Sequence, residues 1–102
     1  MSAIKINETN LSELRRGEKP LLLDFYAEWC GPCRTVLPII DEIASERSDI
    51  IVGKINVENE PELASAFKVY SIPTLVVIKD GEVISKVSGA RPKAQILALL
   101  EG

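Results

Sequence analysis

Short apolar runs alternate with stretches of helical spacing along the whole chain, and their order already implies an architecture. Ala3 to Ile6 reads as a short strand. Asn7 and Thr9 offer caps for a helix that carries Leu11 and Leu14 and stops at Arg15-Arg16-Gly17. Leu21 to Tyr26 follows as a strong strand, apolar almost throughout, which is the pattern of a central strand covered on both faces. Its only charge is Asp24. From Cys30 to about Ser48 the spacing turns helical, with Val36, Leu37, Ile40, Ile43 and Ala44 on one face. Pro38 sits inside that pattern and predicts a kink about one turn beyond the cysteines, because it lacks a backbone donor and crowds the preceding turn. Ile50 to Asn56 reads as a strand, Pro61 to Val69 as a short helix with proline in its first turn, and Thr74 to Lys79 as another strand. Asp80-Gly81 predicts a tight hairpin into Glu82 to Val87, and Pro92 to Leu100 an amphipathic last helix with Leu97, Leu99 and Leu100 in the core. Strands alternating with helices and finished by one hairpin predict a single α/β domain over residues 1–102, a three-layer sandwich with a mixed five-stranded central sheet and four helices.

Composition narrows the function classes. With 102 residues and 46% hydrophobic positions, a chain of this size buries roughly 60–70% of its unfolded surface and needs no metal or disulfide staple. The 12 basic and 15 acidic residues give a net charge of −3, and the basic ones are scattered, which argues against nucleic acid as a partner. Apolar stretches such as Leu75 to Ile78 and Ile96 to Leu100 fall far short of the roughly 18 residues of a membrane span, so a soluble protein without membrane partners is expected. The first residues, Met1 to Asn7, have neither an apolar export core nor transit-peptide bias. The acidic groups Glu42-Glu46 and Glu58-Glu60-Glu62 read most simply as solvated faces.

Histidine is absent and cysteine occurs twice, as Cys30 and Cys33 in Trp29-Cys30-Gly31-Pro32-Cys33. Placed where a central strand gives way to a long helix, the first cysteine meets unpaired backbone N–H groups and the positive end of the helix dipole, which favour its thiolate. Residues three apart share a helix face, so the two sulfurs can bond each other, with Cys33 deeper and less accessible. As a staple the pair would be poor, because so short a loop restrains the unfolded chain by only about 2 kcal/mol. A zinc site wants about four Cys or His ligands, more than this chain has. Redox chemistry remains the reading best suited to a Cys-x-x-Cys in a βαβ setting.

Asp24-Phe25-Tyr26-Ala27-Glu28-Trp29-Cys30-Gly31-Pro32-Cys33 resembles the active-site segment of the thioredoxins. The likeness extends over essentially the whole chain. Pro38 matches the family's helix-kinking proline, Lys54 its buried lysine, Ile72-Pro73-Thr74 its cis-proline loop and Ser88-Gly89-Ala90 its second docking loop. Tyr26 stands where bacterial members commonly have tryptophan, and Arg34 where a lysine is common, which leaves partner preference open. The resemblance implies a cytoplasmic, monomeric disulfide reductase without a bound cofactor, serving electron transfer and redox homeostasis. In it the Cys30 thiolate attacks a substrate disulfide and Cys33 resolves the mixed disulfide. It further implies reduction by a flavoprotein thioredoxin reductase, and disulfide-containing protein substrates such as ribonucleotide reductase, peroxiredoxin or methionine sulfoxide reductase.

The same resemblance assigns supporting roles, each with a plainer structural alternative. Asp24, dehydrated in a covered strand, should have a raised pKa and would accept the Cys33 proton during resolution, or else is a buried acid satisfied locally. Lys54 would pair with Asp24 and tune it, or snorkel to solvent. The Ile72–Pro73 bond would be cis, setting a loop opposite Cys30 whose backbone can pair with an extended substrate. Trp29 would be a substrate platform beside an exposed cysteine, Gly31 would allow close approach of a substrate backbone, and Pro32 would stiffen the turn. Thr74, Gly89 and Ala90 would complete the substrate surface. Two rivals share these residues: an oxidase or isomerase on the same fold, which differs in reduction potential, and a non-enzymatic module that grips a partner around Trp29, Pro73 and Gly89.

Overall fold

A computed structural model describes residues 3–102. The elements follow the order β1 (Ile4–Lys5), α1 (Glu8–Arg15), β2 (Leu21–Tyr26), α2 (Gly31–Glu46), β3 (Ile51–Asn56), α3 (Pro61–Ala66), β4 (Thr74–Lys79), β5 (Glu82–Ser88) and α4 (Lys93–Leu99). The sheet order is β1-β3-β2-β4-β5. β3 runs parallel to both β1 and β2, while β4 is antiparallel to β2 and β5, so the sheet is mixed and β2 lies at its centre.

Alternation along the strands divides the core into two layers. Leu22, Val52, Leu75 and Val77 face Val36, Ile40 and Ile43 of α2 and Ile96 of α4. Leu21, Leu23, Phe25, Ile55, Val76 and Ile78 face Leu11 of α1 and Leu63 of α3. Every residue of β2 is buried, as its unbroken apolar run requires of a strand packed on both sides. In α4 the fully buried side chain is Ile96, and of the three leucines expected in the core only Leu100 is buried while Leu97 and Leu99 are half-covered.

Several element ends differ from the sequence reading for local reasons. β1 is only two residues long, Ile4 and Lys5 in register with Gly53 and Lys54, because the Ala3 N–H turns away to the Asp41 carboxylate. Asn7 caps α1 through a reciprocal pair of hydrogen bonds with Asn10, and Thr9 lies inside the helix. α3 stops at Ala66, three residues early, because Lys68 takes a left-handed φ of 56°. The Lys68 N–H then donates to the Ser65 carbonyl and the Val69 N–H to the Ala64 carbonyl, closing the helix end. Pro92 is the N-cap of α4 rather than part of it. The hairpin is as expected, with Asp80 and Gly81 both at positive φ, the requirement of a type I′ turn. Pro38 lies inside α2, where it withholds one helical donor.

Candidate active site

The site forms where β2 ends and α2 begins. Past Tyr26 the chain turns through Ala27 to Trp29, and the Cys30 N–H donates to the Ala27 carbonyl at 3.2 Å. Cys30 is the N-cap of α2, in extended conformation, and its sulfur accepts the Cys33 backbone N–H at 3.2 Å. That is the contact the helix-terminus argument calls for: an unpaired first-turn amide aimed at the first sulfur. Pro32, with no N–H of its own, fits the first turn at no cost. The Arg34 guanidinium donates to the Glu28 carbonyl through Nε at 3.3 Å and Nη2 at 3.1 Å, holding the entry turn to the helix.

Cys30 and Cys33 are joined as a disulfide, their Cα atoms 5.3 Å apart. Cys33 is fully buried, the deeper of the two as the sequence implied. Cys30 departs from the expectation of an exposed thiol, for it is only 5% exposed. The cause is its surroundings, since Tyr26, Ala27 and Ile72 pack around the pair and the Ile72 carbonyl oxygen lies 3.9 Å from the Cys30 sulfur. Trp29 beside it is 66% exposed, and Gly31 and Pro32 are open to solvent.

Opposite the sulfurs, the Ile72–Pro73 peptide is cis. Thr74 is fully buried, so its side chain does not face an incoming molecule. Its hydroxyl donates to the Ser71 carbonyl at 2.6 Å and meets the Ser88 hydroxyl at 3.1 Å, which ties the proline loop to β5. The Gly89 N–H donates to the Pro73 carbonyl at 2.8 Å, so the two loops expected to dock substrate form one connected rim, with Gly89 and Ala90 exposed on it. Gly89 has a φ of +98°, a conformation that suits glycine.

Asp24 lies between Leu22, which packs on α2, and Tyr26, which packs on the cysteines, and alternation therefore points its carboxyl at α2 beneath the disulfide. It is fully buried, and neither carboxylate oxygen has a hydrogen-bond partner. Burial pushes its pKa up to about 7, and the positive charge of Lys54 offsets this only in part. Lys54 is the register partner of Asp24 on β3, yet no hydrogen bond joins them. The lysine instead lines a cleft of about 250 Å³ with Lys5, Tyr26, Asn56, Asn59 and Glu60. It acts on Asp24 through its charge, without a hydrogen bond, from a half-buried position.

Sequence reasoning passed over Tyr70. It is 86% exposed and stands two residues before Ile72. The available signal was a bulky aromatic in the short connection Lys68-Val69-Tyr70-Ser71 ahead of the proline loop.

A disulfide held at a helix N-terminus, with one sulfur barely exposed, its partner fully buried and an unpaired carboxyl of raised pKa on the strand that leads to them, defines a thiol-disulfide oxidoreductase. The comparisons with known proteins agree. The thioredoxin family model matches residues 2–102, and the chain belongs to the thioredoxin family. A thioredoxin of Mycobacterium tuberculosis is 43% identical over 98 residues, covering 94% of this chain and 84% of that one. A bifunctional thioredoxin reductase/thioredoxin of Mycobacterium leprae is 42% identical over 87 residues, covering 84% of this chain and 19% of that one. Among solved structures, a mutant thioredoxin from Halobacterium salinarum superposes with a TM-score of 0.90 at 36% identity, covering 98% of this chain and 88% of that one.

Proposed function

We propose that this thioredoxin reduces disulfides in protein substrates, with Cys30 as nucleophile and Cys33 as resolving thiol. The observation that carries the assignment of roles is the 3.2 Å contact from the Cys33 N–H to the Cys30 sulfur, made by a helix N-terminus and directed at the sulfur nearer the surface. In the reduced protein the Cys30 thiolate attacks one sulfur of the substrate disulfide and releases the other as a thiolate. Cys33 then gives up its proton, attacks the Cys30 sulfur and frees the second substrate thiolate, which leaves the protein oxidised and the substrate reduced by two electrons. Asp24 takes the Cys33 proton. Its place beneath the pair and its pKa of about 7, where it exchanges protons readily at neutral pH, support that role.

Trp29, Gly31 and Pro32 on one side and Ile72, Gly89 and Ala90 on the other form the surface over which a substrate segment lies, and the buried Pro73 and Thr74 hold the loop from below. A flavoprotein thioredoxin reductase restores the dithiol, a partnership supported by the M. leprae relative that carries both names in one chain. Ribonucleotide reductase, peroxiredoxin and methionine sulfoxide reductase are the substrates this reading expects. The protein works as a monomer in the cytoplasm, where two cysteines committed to exchange suit a reducing compartment.

Insulin reduction coupled to NADPH and a thioredoxin reductase tests the assignment. Cys30→Ser should abolish turnover, and Cys33→Ser should accumulate a mixed disulfide visible by mass. Normal turnover by the Cys30→Ser protein would refute it.

A further inference from the structure

Two large apolar side chains stand far out in solvent, Trp29 and Tyr70. A lone exposed aromatic needs no explanation. These two flank one feature: Trp29 adjoins Cys30, and Tyr70 precedes by two residues the Ile72 whose carbonyl touches the Cys30 sulfur. Two residues of chain span at most about 7 Å, so Tyr70 stands within that reach of the loop facing the disulfide.

Tyr70 is also held in a charged corner. The Lys86 ammonium lies 5.9 Å from the centre of its ring and donates to the Lys68 carbonyl at 2.7 Å. The left-handed φ of Lys68, which ends α3, leaves that carbonyl free to accept the contact. Lys68 is itself exposed. Among the described residues the ion pairs are Arg47 with Asp49 and Lys93 with Glu42 and Glu46, so no carboxylate neutralises Lys68 or Lys86. In a chain whose net charge is −3, this leaves the unpaired Lys86 ammonium over an aromatic face, with the exposed and unpaired Lys68 two residues before that aromatic, at the edge of the exchange site.

We infer that Tyr70, Lys68 and Lys86 form a specificity contact that selects substrates bearing an acidic side chain close to the attacked cysteine. The inference rests on the exchange function above and names the kind of segment that function prefers. An extended substrate with its cysteine at Cys30 places a residue about two positions away over Tyr70, where the ring covers its stem and the two ammonium groups meet its carboxylate.

The test uses the reduced full chain and two peptides, each carrying one cysteine as a mixed disulfide with 4-thiopyridine. They are identical except for Glu or Lys two residues from the cysteine. Neutral 4,4′-dithiodipyridine serves as a probe of the sulfur chemistry alone. At low salt the Glu peptide should react about fivefold faster than the Lys peptide, the ratio expected for two exposed charge contacts. Added salt should shrink that ratio. A Lys68→Gln and Lys86→Gln double variant should bring it near one, and Tyr70→Ala should slow both peptides several-fold. In both variants the rate with dithiodipyridine should stay unchanged. Equal rates for the two peptides, a preference that survives the double variant, or a parallel loss with dithiodipyridine would overturn the inference. A wild-type protein inert to dithiodipyridine would instead overturn the exchange function beneath it.

Discussion

Replacing Asp24 by Asn should stabilise the oxidised protein, and the gain should grow with pH. In the fold the carboxyl has a pKa of about 7 against an ordinary 3.8, because it is buried with no hydrogen-bond partner. Between those two values the folded chain keeps the proton while the unfolded chain releases it. Stability is therefore lost as pH rises from about 4 toward 7 and levels off above, the behaviour of an acid whose folded pKa is raised. A shift of about three units at ~1.36 kcal/mol each makes the full penalty about 4 kcal/mol. Asn removes the charge but introduces an amide that is unpaired at every pH, at about 1–2 kcal/mol. The diagnostic quantity is the part of the gain that appears between roughly pH 4.5 and pH 8.5, about 3 kcal/mol. Urea denaturation of both proteins, followed by far-ultraviolet circular dichroism at the two pH values, measures it. A stability difference that does not change with pH would show that Asp24 is not held in a dehydrated, unpartnered site.

Two further substitutions probe the framework of that site. Lys54→Gln removes the positive charge that lowers the Asp24 pKa, so the carboxyl should titrate above about 7, and an unchanged or lower midpoint in a carbon-13 NMR titration would contradict the charge coupling. Gly53→Ala would put a Cβ 2.5 Å from Ile6 Cγ1 and 2.8 Å from its Cδ1, where β1 is seated on β3. Such overpacking costs about 1–3 kcal/mol by denaturation, and a loss under about 0.5 kcal/mol would mean β1 yields freely.

The strands and the sulfur chemistry were legible because their causes are local. β2 and β4 end where expected, since continuous apolar runs bounded by Pro20 and by the Asp80-Gly81 turn leave little choice of limits. The role of Cys30 follows from a helix beginning beside it, and Asp24 announced itself as the one charge in a buried run. Other features depend on contacts made in three dimensions. α3 ends at a non-glycine residue in left-handed conformation, which carries no sequence mark. Thr74 turned out to be an internal tie, a distinction set by Ser71 and Ser88. That Lys54 influences Asp24 without bonding it depends on where a flexible side chain comes to rest. Tyr70 entered only when its exposure and its distance from Lys86 were known.

Alkylation of the fully reduced protein across a range of pH tests most directly whether Cys30 is an activated nucleophile. Mass analysis should place the label on Cys30 alone, with a rate that rises through a midpoint clearly below the ~8.5 of a free cysteine. A profile that overlays that of glutathione, or preferential labelling of Cys33, would contradict the account.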